Sequence, residues 1–228
     1  MSRHYRELTH DRLVGQFDDL MDDYDVARRR DILIDRFLGA AVRGKLVLDG
    51  GCGVGGMTQR LVERGARVVA ADIGPRLAAE TKGRWGCGAV VTSLNALGFR
   101  DTVFDAVLSS EVIEHTPDPA QAVGELFRLV KPGGSLVVST PNRLWLPAVR
   151  VSSMLRLRPY DGYENFLWPG ALRGALESAG GRIVEHRGIH LWPFQIKALH
   201  RASRWVDRFG SALLPLMINQ CIHCVKSA

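Results

Sequence analysis

No stretch of the 228 residues approaches the ~20 consecutive apolar residues that a membrane-crossing helix needs. The opening residues, Met1-Ser-Arg-His-Tyr-Arg-Glu7, carry charges where a secretory leader would place an apolar segment. A cytoplasmic protein is therefore expected. Cysteine is scarce, and Cys52, Cys87, Cys221 and Cys224 are too irregularly spaced for a disulfide framework. Cys221-x-x-Cys224 lies inside a strand-like segment and reads as core, because a zinc or redox pair needs partner ligands or a helix start. Internal repeats and low-complexity segments are absent, and 46% apolar with 24% charged residues excludes disordered and collagen-like chains. The length suits a single domain over residues 1–228 with one continuous core.

The net charge of +6 is regional. Between Pro141 and Gly210 there are 11 basic and 5 acidic residues, and the remainder balances at 19 against 19. Such a region suits solvated faces, an anionic surface or an acidic partner. No segment resembles an appended RNA-binding domain, so no nucleic-acid partner is expected.

The chain is organised by alternation. Residues 1–43 form a charge-rich helical cap, with Ile32, Leu33, Ile34, Phe37 and Leu38 at helical spacing. Apolar runs at 45–49, 67–72, 89–92, 104–109 and 135–139 alternate with helix candidates at 57–64, 75–82 and 119–130. That rhythm predicts an α/β sheet with parallel crossovers, covered by helices on both faces. Residues 44–142 would be a cofactor-binding core and 143–217 substrate or lid insertions. Within the latter, a helix is expected at 171–179 and a strand at 182–186. At 218–225, Ile218, Gln220, Ile222 and Cys224 alternate as a last strand.

The first strand leads into Asp49-Gly50-Gly51-Cys52-Gly53-Val54-Gly55-Gly56. Its glycines at alternate positions permit a tight turn and close backbone approach to a ligand. Asp72 ends the next strand, where a carboxylate beside such a turn accepts from ribose hydroxyls, so a nucleoside cofactor is implied. Gly51, Gly53 and Gly56 also satisfy the dinucleotide pattern, which leaves a nicotinamide oxidoreductase open. Asp49 weighs against it: a carboxylate repels a pyrophosphate and attracts the ammonium of S-adenosylmethionine.

These residues, with Phe104-Asp-Ala-Val-Leu-Ser-Ser-Glu-Val-Ile-Glu-His115 and Leu129-Val-Lys-Pro-Gly-Gly-Ser135, resemble the successive motifs of class I S-adenosylmethionine-dependent methyltransferases over roughly residues 30–142. Glu111-Val-Ile-Glu114-His115-Thr-Pro-Asp-Pro119 and Ser139-Thr-Pro-Asn142-Arg143 are similar to the ubiquinone-biosynthesis O-methyltransferase branch. The resemblance implies a Rossmann-like, mostly parallel seven-stranded sheet with an antiparallel last strand. It implies a glycine turn of Asp49, Gly51, Gly53 and Gly55 holding the methionine end, Asp72 on the ribose and Ile73 on one adenine face. Ser93 and Leu94 would lie by the adenine, Ser93 standing where many relatives carry Asp. Ser110 would complete the cofactor contacts, and Arg30 would lie near the cofactor carboxylate. From part of that branch, Glu111, Glu114 and His115 would hold Mg²⁺.

Transfer to oxygen also requires proton removal, and His115, toward the carboxyl edge of the sheet, is the candidate base. No Pro-Cys dipeptide and no Asn/Asp-Pro-Pro-Tyr follows the fourth strand, which points to a small-molecule acceptor rather than a nucleic-acid or protein amino group. The expected reaction is methyl transfer to an oxygen of a phenolic or lipophilic biosynthetic intermediate. Methylation of carbon or nitrogen in a natural-product intermediate, and methylation of RNA, are the rival readings. Tyr160, Tyr163, Trp168, His190 and Trp192 are acceptor-pocket candidates. Residues 143–168 and 195–213 are basic and amphipathic, the second with a stripe of Ile196, Leu199, Ala202, Val206, Phe209 and Leu213. They read as lids packed on the domain or as contacts with an anionic membrane surface, which would make the protein peripheral to the membrane.

Overall fold

The computed structural model describes Asp11 and residues 21–155 and 162–227. The apolar runs become β1 (Leu46–Gly50), β2 (Arg67–Asp72), β3 (Gly88–Val91), β4 (Phe104–Ser110) and β5 (Val130–Pro141), followed by β6 (Gly181–Ile189) and β7 (Asn219–Lys226). They form one seven-stranded sheet in the order β3-β2-β1-β4-β5-β7-β6. β7 alone runs against its neighbours, inserted between β5 and β6. Val47, Leu48, Val107 and Leu108 are fully buried, as consecutive residues must be when both faces of a parallel sheet are covered.

α1 (Asp23–Arg29) starts at Asp22, whose carboxylate accepts from the N–H groups of Tyr24 and Asp25. It continues as a π-helical stretch, Arg30–Leu38. α2 (Gly56–Glu63), α3 (Pro75–Trp85) and α4 (Pro119–Arg128) are the crossovers, followed by α5 (Leu146–Met154), α6 (Pro169–Ser178), α7 (His200–Val206) and α8 (Gly210–Leu213). α3, α4, α5 and α6 each carry Pro in the first turn, where a missing N–H costs nothing. Leu126 and Phe127 of α4 and Leu172 and Leu176 of α6 pack on one face of the sheet. Leu33, Ile34 and Phe37 of the leading helix, with Leu61 of α2, pack on the other. Each such buried side chain contributes roughly 1.5–3 kcal/mol.

Two elements differ from the sequence expectation. β5 begins at Val130 rather than Ser135 because Pro132, Gly133 and Gly134 stay in the strand, across a register shift between Phe104 and Ala106 of β4. Around α7 the helical period is right and the buried face is not. Ser203, Asp207 and Gly210 face inward, while Ile196 and Phe209 of the apolar stripe are exposed. No described helix is long and apolar enough to cross a membrane. The carboxyl ends of β1, β2, β4 and β5 and the start of β7 meet at one edge of the sheet, and the chemistry-bearing residues collect there.

Candidate active site

The first turn after β1 is pinned to β2 by the N–H groups of Gly51 and Cys52, which donate to the Ala71 carbonyl at 2.7 and 3.0 Å. Gly51, Gly53 and Gly55 all hold left-handed backbone, with φ of 80°, 55° and 91°. At Gly51 a Cβ would lie 2.3 Å from Val112 Cγ1, so glycine is required there by close packing as well as by φ. Val112 thereby brings the segment after β4 directly over the glycine turn.

Two acids brace this turn. Asp49 is buried, its Oδ2 accepting from Thr58 Oγ1 at 2.6 Å. Burial, reinforced by the charge of Asp72, pushes its carboxyl up to about 6. Asp72 accepts from Gly53 N at 3.0 Å through Oδ2 and from Gly74 N at 2.8 Å through Oδ1, leaving a second lone-pair direction on each oxygen. Its carboxyl is also raised, chiefly by burial. Ile73 follows, half-buried, at the head of the turn into α3. Asp11, which sequence reasoning did not single out, caps α3 by accepting from Arg76 N and Leu77 N at 2.9 and 3.1 Å. Nothing local predicts a contact 65 residues apart in the chain.

In the loop after β3, Leu94 is buried in the core. Ser93 Oγ accepts from Asn95 N at 3.3 Å. Asn95, also not anticipated, donates to the Asp118 carbonyl at 2.6 Å and keeps a buried Oδ1 with no partner. Adjacent arginines divide on the leading helix. Arg30 donates to the Gly56 carbonyl at 2.7 Å and to Gln59, at the first turn of α2. Arg29 is the one buried at the sheet edge, donating to Ser110 Oγ at 3.0 Å and pairing with Asp25 at 2.7 Å.

Glu111 follows Ser110 with φ of 55°, an uncommon backbone for a residue other than glycine. Its Oε2 accepts from Asn219 Nδ2 at 2.5 Å, its Oε1 is sealed from solvent, and the Ser139 side chain also hydrogen-bonds the carboxyl. Burial, then the charge of Glu114, pushes its carboxyl up to about 8 against the opposing pull of Arg29. Glu114 accepts from Thr140 Oγ1 at 2.9 Å. His115 Nδ1 lies 2.8 Å from the Tyr163 carbonyl, and its Nε2 lies 3.8 Å from Glu114 Oε1. The expected Mg²⁺ site is thus corrected. Glu111 turns to Asn219, Glu114 to Thr140 and His115 to Tyr163, and among the described residues no group of three or more His, Cys, Asp or Glu could hold a metal ion.

The acceptor candidates do not gather into one group. Tyr160 lies outside the described residues. Trp168 is half exposed at the head of α6. Tyr163 contributes its carbonyl to His115. His190 is fully buried with φ of 62°, its Nε2 3.1 Å from Asp25 Oδ1 and its N–H donating to Asp207. His190 Nδ1, Trp192 Nε1 and Asn219 Oδ1 are buried without partners among the described residues.

This edge fits S-adenosylmethionine. The buried Asp49 and Asp72 both resist ionisation, a strain that a cationic ligand relieves and a pyrophosphate aggravates. A model of a methyltransferase domain matches residues 48–138. The chain is 30% identical over 187 residues to the ubiquinone biosynthesis O-methyltransferase of Xylella fastidiosa (strain M23), covering 77% of this chain and 76% of that protein. It is 33% identical over 184 residues to the protein of the same name from Xanthomonas oryzae pv. oryzae (strain PXO99A), covering 75% and 77%. The fold is similar to that of magnesium protoporphyrin IX methyltransferase from Synechocystis PCC 6803 with bound SAH, at a TM-score of 0.69 and 17% identity, covering 99% and 97% of the two chains.

Proposed function

The chain belongs to the class I S-adenosylmethionine-dependent methyltransferases, and from that membership we propose that its acceptor is an oxygen of a small phenolic or lipophilic biosynthetic intermediate. S-adenosylmethionine, when bound, supplies a methyl group already activated on a positively charged sulfur. The chain's work is to hold both reactants in line, exclude water and take the acceptor's proton. In this reading Asp49 and the turn through Gly51, Gly53 and Gly55 face the methionine end, Asp72 the ribose, and Ile73, Ser93 and Leu94 the adenine. Ser110 and Arg29 flank the carboxylate, with Arg30 holding the first turn of α2.

The observation that carries the oxygen reading is the setting of His115. A carbonyl oxygen only accepts, so the 2.8 Å contact with Tyr163 puts the hydrogen on Nδ1 and the accepting lone pair on Nε2. The Glu114 carboxylate 3.8 Å from Nε2 would stabilise the imidazolium that forms on proton transfer. Methyl transfer from sulfur to carbon or nitrogen shares the same line but has no uniform need of such a base. The names of the two relatives support the same reaction class.

The test offers the enzyme labelled S-adenosylmethionine with catechols bearing alkyl tails of increasing length, alongside amines of matched size. Labelled methyl ethers are expected from the catechols, and a preference for amines would overturn the reading. His115→Ala should lower turnover by about 10²-fold or more while S-adenosylhomocysteine affinity stays within about twofold. Full activity in that variant would remove His115 as the base.

A further inference from the structure

The leading helix places Arg28, Ile32 and Arg36 four residues apart, on one stripe turned away from the glycine turn. That stripe meets Arg187 of β6 and Arg204, Asp207 and Arg208 from α7 and the turn after it, and together they line a cavity of about 330 Å³. Five guanidinium groups thus share one concave surface with a single lining carboxylate.

The acids nearby are already engaged. Asp207 Oδ2 accepts from Arg28 Nε and Nη2 at 3.2 and 2.9 Å, and its Oδ1 accepts from His190 N at 3.0 Å. Glu185 is shared by Arg36 and Arg187 at 3.0 Å each, and Asp31 takes Arg28 Nη1 at 3.1 Å. Against five arginines these three carboxylates leave an excess of about two positive charges. Arg204 and Arg208 are exposed and hold no ion pair among the described residues, though Arg204 lies over the Tyr24 ring at 5.8 Å. Arg187 is only 5% exposed and is held by Glu185 through Nη1 and by the Asp207 carbonyl through Nη2, so the outer wall of the cavity is left to Arg204 and Arg208.

We propose that this arginine-lined cavity is a binding site for a dianionic phosphoryl group, separate from the glycine turn and independent of the acceptor's identity. The planar forks of several arginines suit the tetrahedral oxygens of phosphate better than a lone lysine would. The group arrives either on a soluble phosphate or on a lipid headgroup. Trp205 and Phe209, 59% and 52% exposed beside Arg204 and Arg208, make the second source chemically reasonable.

The test titrates the full chain with inorganic phosphate, using sodium chloride at matched ionic strength as control. In parallel, vesicles of phosphatidylcholine are compared with vesicles containing roughly a fifth phosphatidate. A saturable rise in Tm with phosphate, absent with chloride, is expected. The double variant Arg204→Ser and Arg208→Ser, which removes exposed groups without ion pairs, should bind the phosphoryl probe at least about tenfold more weakly. Its S-adenosylhomocysteine affinity should remain unchanged. Retention on phosphatidate vesicles alone, lost in the double variant, supports the site with lipid as its source. Failure of both probes, or equal binding by wild type and double variant, overturns the proposal.

Discussion

The two halves of the sheet edge hold their buried acids by different means. Around β1 and β2, Asp49 is met by Thr58, and Asp72 by the N–H groups of Gly53 and Gly74, and the turn between them is shaped by backbone. Around the end of β4 and the start of β7, side chains do the shaping: Glu111 is met by Asn219, Glu114 by Thr140 and His190 by Asp25. The first half is braced by residues close together in sequence, and the second by side chains gathered from far along the chain.

That contrast breaks first at Glu111. A carboxyl raised to about 8 means that the native state holds a proton which the unfolded chain releases near the ordinary carboxylate range. The associated stability is present below about pH 4.5 and lost as pH rises through about 8. Glu111→Gln should therefore gain on wild type by on the order of 3 kcal/mol between pH 5 and pH 9 in urea unfolding. Parallel pH profiles would show that the site is not strained by this acid.

Gly51→Ala attacks the other half. Its Cβ would press on Val112 at 2.3 Å from a φ of 80°, and S-adenosylhomocysteine affinity should fall by about 10²-fold in calorimetry. An unchanged affinity would mean that the turn is not a tight cradle. Asp49 gives a gentler test. Cofactor affinity should weaken by up to about tenfold per pH unit below about 6 as its carboxyl protonates, and Asp49→Asn should abolish that dependence. The smallest effect belongs to a site outside both halves: Arg173→Ala breaks an exposed pair with Glu177 and should shift stability by no more than about 0.5 kcal/mol.

Much of the geometry of the glycine turn was legible because it is local. Asp49 and the glycines sit within one turn, and Asp72 ends the very next strand, so spacing alone brings them together. The reversed strand at 219–226 was legible through its alternation and the family resemblance, though not its place between β5 and β6. The burial of Arg29 rather than Arg30 was not legible because neighbouring arginines have the same chemistry, and only the pitch of the helix decides which one turns inward. Metal ligation by Glu111, Glu114 and His115 failed for a related reason. Each had a distant partner, Asn219, Thr140 or Tyr163, that sequence proximity conceals. The stripe near α7 misled because hydrophobic period identifies a helix, whereas the buried face follows from what it meets, here Arg28 and Arg187 paired through Asp207.

The sequence by itself determined the alternating α/β sheet, the glycine turn and its two acids, since these rest on backbone freedom and short-range order. The tertiary structure alone decided which charges are buried, which carbonyl His115 meets and where five arginines converge. Those outcomes depend on desolvation and on partners brought together from far along the chain, and neither is set by the residues adjacent in sequence.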